Sequence, residues 1–435
     1  MTNLLRVLFY LGGAMRRLDW DIEHIKSFQK KRLRSVIDNA YQHSKFYHTL
    51  FKENNLLPTD IKSQEDLQKI PVVDKSVYKN IPADDLLSDE YDKNKLKIVK
   101  TSGSSGSPFK IFISPKENDW RKAIYMRANI SCGQMPLDRW IVITAPHHFS
   151  DTTNIQRRLR IFSQSCVSVF DEIDKQVETI KNLQPDIIDG YSGPILLIAK
   201  KIEIGEINPK IIFGSAELID EESRKIIEKS FSAPYFDQFG CAEIDRSAWQ
   251  CPERTGYHMD IDSVITQFVD GQGASTAPGE NGDIVYTSLF NYAMPIIRYN
   301  IGDVGSESTD ECNCNRGLPL MSVVEGRSDN FIPLPDGRFL SPRVFTNTMS
   351  LYKNYHDIVQ FMIIQQSLSQ IDILIQKKLD STISEGVMEG DLITHFRKIL
   401  SLKEDVTLSI IFETNIPIEH NGKHKSVISK LSRRV

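Results

Sequence analysis

The sequence predicts an α/β protein with a large multi-layer N-terminal domain, a turn-rich mixed-sheet subdomain inside it, and a small mobile α+β lid domain at the C-terminus. Three observations carry this. Apolar runs of strand length alternate with helix-spaced stretches from about residue 95 to 236. Residues 251–325 change to short runs broken by Gly, Asn and Asp. The alternation then resets after about residue 330. The expected boundaries are 1–326 for the large domain, with the subdomain at about 245–325, and 327–435 for the lid.

In chain order, Leu4–Leu11 is an apolar run interrupted by Arg6. It is too broken for a signal peptide and too short to span a bilayer, so it is expected to pack on its own chain or to act as an amphipathic foot. Residues 20–53 read as a long polar helix, with Leu33, Val36, Ile37 and Ala40 at helical spacing, followed by an aromatic cluster. Pro58, Pro71 and Pro82 amid charge mark 58–90 as loop-rich with short helices. Strand-like Lys95–Val99 and Phe109–Ile113 bracket a Gly/Ser loop. Strands are expected at Trp140–Thr144, Cys166–Phe170, Asp186–Asp189 and Lys210–Phe213, and helices at 116–132, 153–163, 174–183, 194–202 and 220–230. A strand-like Pro234–Phe236 precedes Phe239–Glu243. In the lid, Val359–Gln366, Ile371–Gln376 and Thr407–Phe412 read as strands and 386–400 as a helix.

Composition narrows the function classes. With 53 Lys and Arg against 57 Asp and Glu, the balance does not favour nucleic acid as a main partner. Six cysteines in 435 residues are too few for a disulfide framework. No run approaches the length of a membrane-spanning helix, and a cytoplasmic location is expected.

Five groups could do chemistry. The stretch Lys100–Phe112 reads KTSGSSGSPFKIF. Its glycines permit a backbone that turns N–H groups inward and its hydroxyls add donors, so it could hold a phosphate or form a plain turn. It is neither a P-loop nor a dinucleotide fingerprint. Glu243 in FGCAE could hold Mg²⁺ or be a surface acid after a tight turn. Asp303, between glycines at a strand end, could grip ribose hydroxyls. Arg327 could reach phosphate or ribose oxygens beside a pivot at Asp329, or belong to a salt-bridged linker, while Arg298 reads as structural. Cys251, His258, Cys312 and Cys314 suit a closed tetrahedral Zn²⁺ site that staples the turn-rich subdomain. Cys241 has no base beside it to make it a nucleophile. Lys423, after Gly422 on a loop, could neutralise charge on a phosphoryl group or be tail charge. His147 and His148 end a strand at a polar mouth, where they could line a pocket or cap the strand.

Taken together, TSGSSGSP at 101–108, FGCAE at 239–243, YNIGDVG at 299–305, EGRSDN at 325–330 and NGK at 421–423 stand in the order found in the adenylate-forming superfamily. The chain resembles its phenylacetate–CoA ligase and capsule-biosynthesis CapK-like branch, to which residues 32–51 and the Cys/His quartet are also similar. The resemblance implies ATP-dependent activation of a carboxylic acid, an aromatic acid among the candidates, to acyl-AMP, then transfer to coenzyme A. Thr101, Ser102, Gly103, Ser104, Ser105 and Gly106 would wrap the β- and γ-phosphates, and Glu243 would bind Mg²⁺. Phe239, Gly240 and the turn Gly214, Ser215 and Glu217 would border the adenine or the acid, with His147, His148, Tyr191 and Cys241 in the substrate pocket. Asp303 would hold the ribose with help from Arg327, Asp329 would be the hinge, and Lys423 the catalytic lysine. Ser104–Ser105 replace the usual threonine pair, Ser107 replaces a basic residue, and Lys425–Ser426 stand where an arginine is expected. Transfer to an amine, sugar or carrier protein, an adenylyltransferase, and a non-catalytic nucleotide-binding partner are the alternatives.

Overall fold

Strands and helices alternate through the middle of the chain as the sequence predicts. The structure, a computed structural model, describes residues 2–100, 109–149, 152–322, 324–417, 419 and 422–431. Two compact units form, one from residues 1–135 and 236–323, the other from residues 136–235 and 324–435.

In the first unit the N-terminal apolar run lies in the helix Leu4–Arg17, capped by the Asn3 side chain and ending in Arg16 and Arg17, which suit the negative end of the helix. Val7 and Leu11 pack with Ala123 of the helix Pro115–Ser131, and Tyr10 meets Trp120 edge-on at 5.3 Å. The run therefore packs on its own chain, with Leu5 and Phe9 left outside. Among the described residues no helix is long and apolar enough to cross a membrane. Leu33, Val36, Ile37 and Ala40 are all buried along the helix Ile22–His43, as their spacing requires. The chain turns at Ser44 into a second helix, Lys45–Glu53, which buries Tyr47 and Phe51.

The turn-rich region folds into antiparallel sheets. Val264–Val269, Gly282–Ser288 and Tyr299–Gly305 pair in sequence order. Val73–Asp74 adds a two-residue parallel strand on Tyr299–Asn300, too short to be recognised from periodicity. Asp245–Gln250 pairs with Tyr257–Met259, and also with Tyr235–Cys241. That last strand continues through Phe239 and Gly240, which were expected to follow a strand ending at Phe236. Lys97–Lys100 and Lys110–Ile113 form an antiparallel hairpin, and Thr101–Gly106 lie outside the described residues.

A buried charge cluster ties this unit together. Arg127 donates to both oxygens of Asp262 at 2.8 Å and to Asp260 at 2.5 Å. Arg17 Nε reaches Asp262 Oδ2 at 2.5 Å, and Trp249 Nε1 reaches Asp260 Oδ1 at 3.0 Å. Burial alone would raise the Asp262 carboxyl, but Arg127 and Arg17 outweigh it and hold it at about 2.

The second unit contains a parallel sheet in the order Gln164–Ser168, Trp140–Thr144, Ile187–Tyr191, Ile211–Ser215. Ile173–Leu183, Ser192–Lys201 and Glu221–Phe231 are its connecting helices, and Ile188, Ile198, Ile212 and Phe231 share its core. The helix expected over 153–163 is shorter, Asn154–Leu159, because Arg160 takes a left-handed conformation and ends it. The C-terminal segment forms a four-stranded sheet ordered Thr407–Phe412, Gln370–Lys377, Ile358–Ser367, Val427–Ser429. The helices Glu385–Leu400 and Pro342–Ser350 share its core through Phe396, Met388 and Phe345. The strand Val427–Ser429 and the helix Pro342–Ser350 were not foreseen; three residues leave no periodicity to read, and the helix opens on a proline after a turn.

Candidate active site

In the first unit Glu243 is buried. Arg121 holds its backbone, donating to the carbonyls of Ala242 at 3.1 Å and Glu243 at 2.5 Å. Its Oε1 meets Lys75 Nζ at 3.2 Å and accepts from the Tyr299 hydroxyl at 2.7 Å. Burial disfavours the charge, but Lys75 and Tyr299 more than offset it, so the carboxyl titrates below its usual range. Lys75 is a site residue that sequence reasoning missed. Its signal is slight, a lysine after a Pro-Val-Val-Asp turn far away in the chain. Asp303 is half-buried in the Tyr299–Gly305 strand, after Gly302 at a φ of 79°. Burial and the charges of Glu243 and Asp303 raise the Cys241 thiol far above its ordinary value, so it is no thiolate at neutral pH. Phe239 is half-buried, and a Cβ on Gly240 would overlap the carbonyl of Asp245. Arg298 is buried and donates to the carbonyls of Gln68, Ile70 and Gly273, a structural role as expected.

The Cys/His quartet also comes together in this unit. The ligand atoms of Cys251, His258, Cys312 and Cys314 all lie within 4.8 Å of one another. Cys251 Sγ is 3.5 Å from Cys312 Sγ, and Cys314 Sγ is 3.2 Å from His258 Nε2. His258 Nδ1 is 3.0 Å from the Leu318 carbonyl, which makes Nδ1 the protonated nitrogen and leaves Nε2 a lone pair facing the sulfurs.

In the second unit the turns after two adjacent parallel strands meet the loop at Lys423. Gly214 and Ser215 end the strand Ile211–Ser215, and a Cβ on Gly214 would strike the Tyr235 hydroxyl. Ala216 follows with a φ of 72°, a left-handed conformation rare outside glycine. Glu217 then accepts from the backbone N–H groups of Gly193 and His424, the latter at 2.6 Å. As a residue Glu217 is half-buried, but the protein around its carboxylate pushes it up to about 7 against the pull of those two donors and of Lys423. The Lys423 ammonium lies 5.7 Å from the centroid of the buried Tyr191 ring. His424 donates from Nε2 to the Phe361 carbonyl at 2.8 Å and accepts at Nδ1 from Gln360 at 2.9 Å, and burial lowers it to about 4. Lys200 donates to the carbonyls of Ile358 and Val359, both at 2.9 Å. Arg327 is half-buried in Gly326–Arg327, and Asp329 lies in the turn Ser328–Asn330. His147 and His148 end the turn Pro146–His148, where His148 is half-buried. The structure thus gathers Glu243, Cys241 and Asp303 in the first unit, and Tyr191, Glu217 and Lys423 in the second.

The chain as a whole is similar to several named proteins. No family model matches the chain. It is 22% identical over 329 residues to a phenylacetate–coenzyme A ligase of Thermus thermophilus, covering 71% of this chain and 72% of that one. It is 21% identical over 427 residues to Protein CapK of Staphylococcus aureus, covering 93% and 89%. The chain is similar to the phenylacetate–coenzyme A ligases and to CapK. It shares the fold of 2-hydroxyisobutyryl-CoA ligase, solved in the postadenylation state with an acyl-AMP, at a TM-score of 0.80 and 19% identity, over 95% of this chain and 91% of that one.

Proposed function

We propose that the chain activates a carboxylic acid with ATP, forming an acyl-adenylate and pyrophosphate, and passes the acyl group to coenzyme A. The observation that carries this reading is the seating of Lys423 against Tyr191 and the Gly214–Glu217 turn, in a relative of the phenylacetate–coenzyme A ligases. A carboxylate is already ionised near neutral pH, so it attacks the α-phosphorus in line without a general base. What the protein must supply is position and positive charge. Lys423 neutralises charge on the phosphoryl group. Asp303 holds the ribose hydroxyls with Arg327, and Thr101–Gly106 cradle the outer phosphates. Phe239 borders the adenine, and His148 and Tyr191 line the acid pocket. Residues 327–435 act as the lid, turning about Asp329 so that the acceptor reaches the adenylate.

Mg²⁺ fits Glu243, because this cation needs only one or two protein carboxylates beside substrate phosphates, and Lys75 and Tyr299 keep the carboxyl ionised through Oε1. Bound there it would offset charge on the phosphates. Zn²⁺ fits the quartet, whose three thiols and the imidazole nitrogen facing them form a closed, soft donor set. Elemental analysis is expected to find one zinc per chain, and Cys314→Ser to lower both the zinc content and the melting temperature. Protein that is metal-free as purified, yet as stable with chelator as without, would remove the staple.

The second reading keeps the same adenylation step and changes the acceptor to an amine, a sugar or a carrier protein; the CapK match, which spans 93% of the chain against 71% for the Thermus ligase, keeps it beside the first. A panel of carboxylic acids in an ATP–pyrophosphate exchange assay, followed by each acceptor class in turn, tests both steps. Exchange with none of the acids would end the reading, and exchange followed by transfer only to an amine or carrier would decide for the second acceptor.

A further inference from the structure

We propose that Glu217 is a positioning residue for Lys423, joining the start of the helix Ser192–Lys201 to the main chain immediately after the lysine. The proposal rests on the reading of Lys423 as the lysine that serves adenylation. Its own observations are geometric. One carboxylate oxygen, Oε2, accepts from Gly193 N–H, and the other, Oε1, accepts from His424 N–H at 2.6 Å. Both oxygens are thereby engaged by main-chain donors from segments more than 200 residues apart in sequence. Gly193 has no Cβ, and one built there would overlap the Glu217 carboxylate, so the close approach depends on glycine. The left-handed Ala216 just before it turns the side chain out of the strand direction.

The far side of Lys423 is pinned as well. Gly422 has a φ of 78°, and a Cβ there would overlap the Val169 side chain. His424 is locked through both ring nitrogens to Phe361 and Gln360. Lys423 therefore sits between two fixed points, and Glu217 supplies the charged one. Desolvation pushes the Glu217 carboxyl up to about 7 against the pull of its two main-chain donors, so ionising it there costs the fold. A core-filling role would be met by an apolar side chain with no such cost.

Glu217→Gln tests the assignment. Glutamine keeps the shape, but its amide turns N–H against one of the two N–H donors. Alanine is the poorer choice, since the neighbouring cavity of about 50 Å³ has room for water to take the carboxylate's place. In ATP–pyrophosphate exchange with an acid found active on the wild type, kcat is expected to fall roughly 10- to 100-fold, the scale of a small misplacement of a catalytic group. The KM for ATP should stay within about twofold. Hydrogen–deuterium exchange should quicken in the peptide containing residues 422–430 while the parallel strands keep their protection. Unchanged kcat with unchanged protection at 422–430 overturns the proposal. So does a general loss of protection throughout the second unit, which would mark Glu217 as a structural residue only. If the wild type exchanges with no acid, the functional reading fails by itself; the hydrogen-exchange result still decides whether Glu217 holds the loop.

Discussion

Lys423→Ala is expected to slow ATP–pyrophosphate exchange by roughly 10²- to 10³-fold, the usual loss when one charge-stabilising donor leaves a transition state. ATP affinity should change by only a few-fold, because the ribose and outer-phosphate contacts proposed at Asp303 and Thr101–Gly106 remain. The position of the ammonium over the Tyr191 ring argues for this split. A cation held on an aromatic face is kept out of bulk water, so its charge acts on a developing anion with little screening. Fluorescence titration with a labelled ATP analogue, run beside the exchange assay, separates binding from chemistry. Equal exchange in wild type and variant would remove Lys423 from the mechanism, and a parallel loss of binding would make it a binding residue only.

Asp262→Ala should be the most damaging single change to stability, at roughly 3–5 kcal/mol, because it leaves two guanidiniums in the protein interior without their shared carboxylate. Chemical denaturation read by Trp fluorescence would show it as a lower midpoint. The same pair sets an acid limit. The Asp262 carboxyl is held at about 2, below its ordinary unfolded value near 4, so its contribution is fully present above the unfolded value. It is lost as pH falls from about 4 through about 2. Wild-type stability should therefore drop over that window, and the variant should show a shallower decline there. An Asp262→Ala midpoint within error of wild type would mean that the cluster contributes nothing net.

The parts of the molecule that could be read from sequence were those with local signals. Helical spacing located Ile22–His43 through Leu33, Val36, Ile37 and Ala40, and apolar runs located the parallel strands. The Cys/His quartet was legible because residue chemistry alone nominates it, and the structure brings all four ligand atoms together. What escaped was non-local. Lys75 meets Glu243 from a short helix that follows a two-residue strand, and nothing near Lys75 in sequence announces that partner. The Arg17–Asp262 pair spans 245 residues. Glu217 was recognised as part of a turn, but its grip on Gly193 and His424 uses backbone donors, which leave no trace in residue type.

The first unit takes residues 1–135 and then 236–323, with the second unit beginning between them. A ribosome delivers these pieces in a fixed order. The helix Leu4–Arg17 emerges early, but the carboxylate it needs at Asp262 arrives only after the four parallel strands of the other unit have been made. Neither unit can close when its first half leaves the exit tunnel. Nascent chains halted before residue 260 should expose the unpaired Arg17 and Arg127 side chains with the apolar helix faces beside them, the state that chaperones are built to hold.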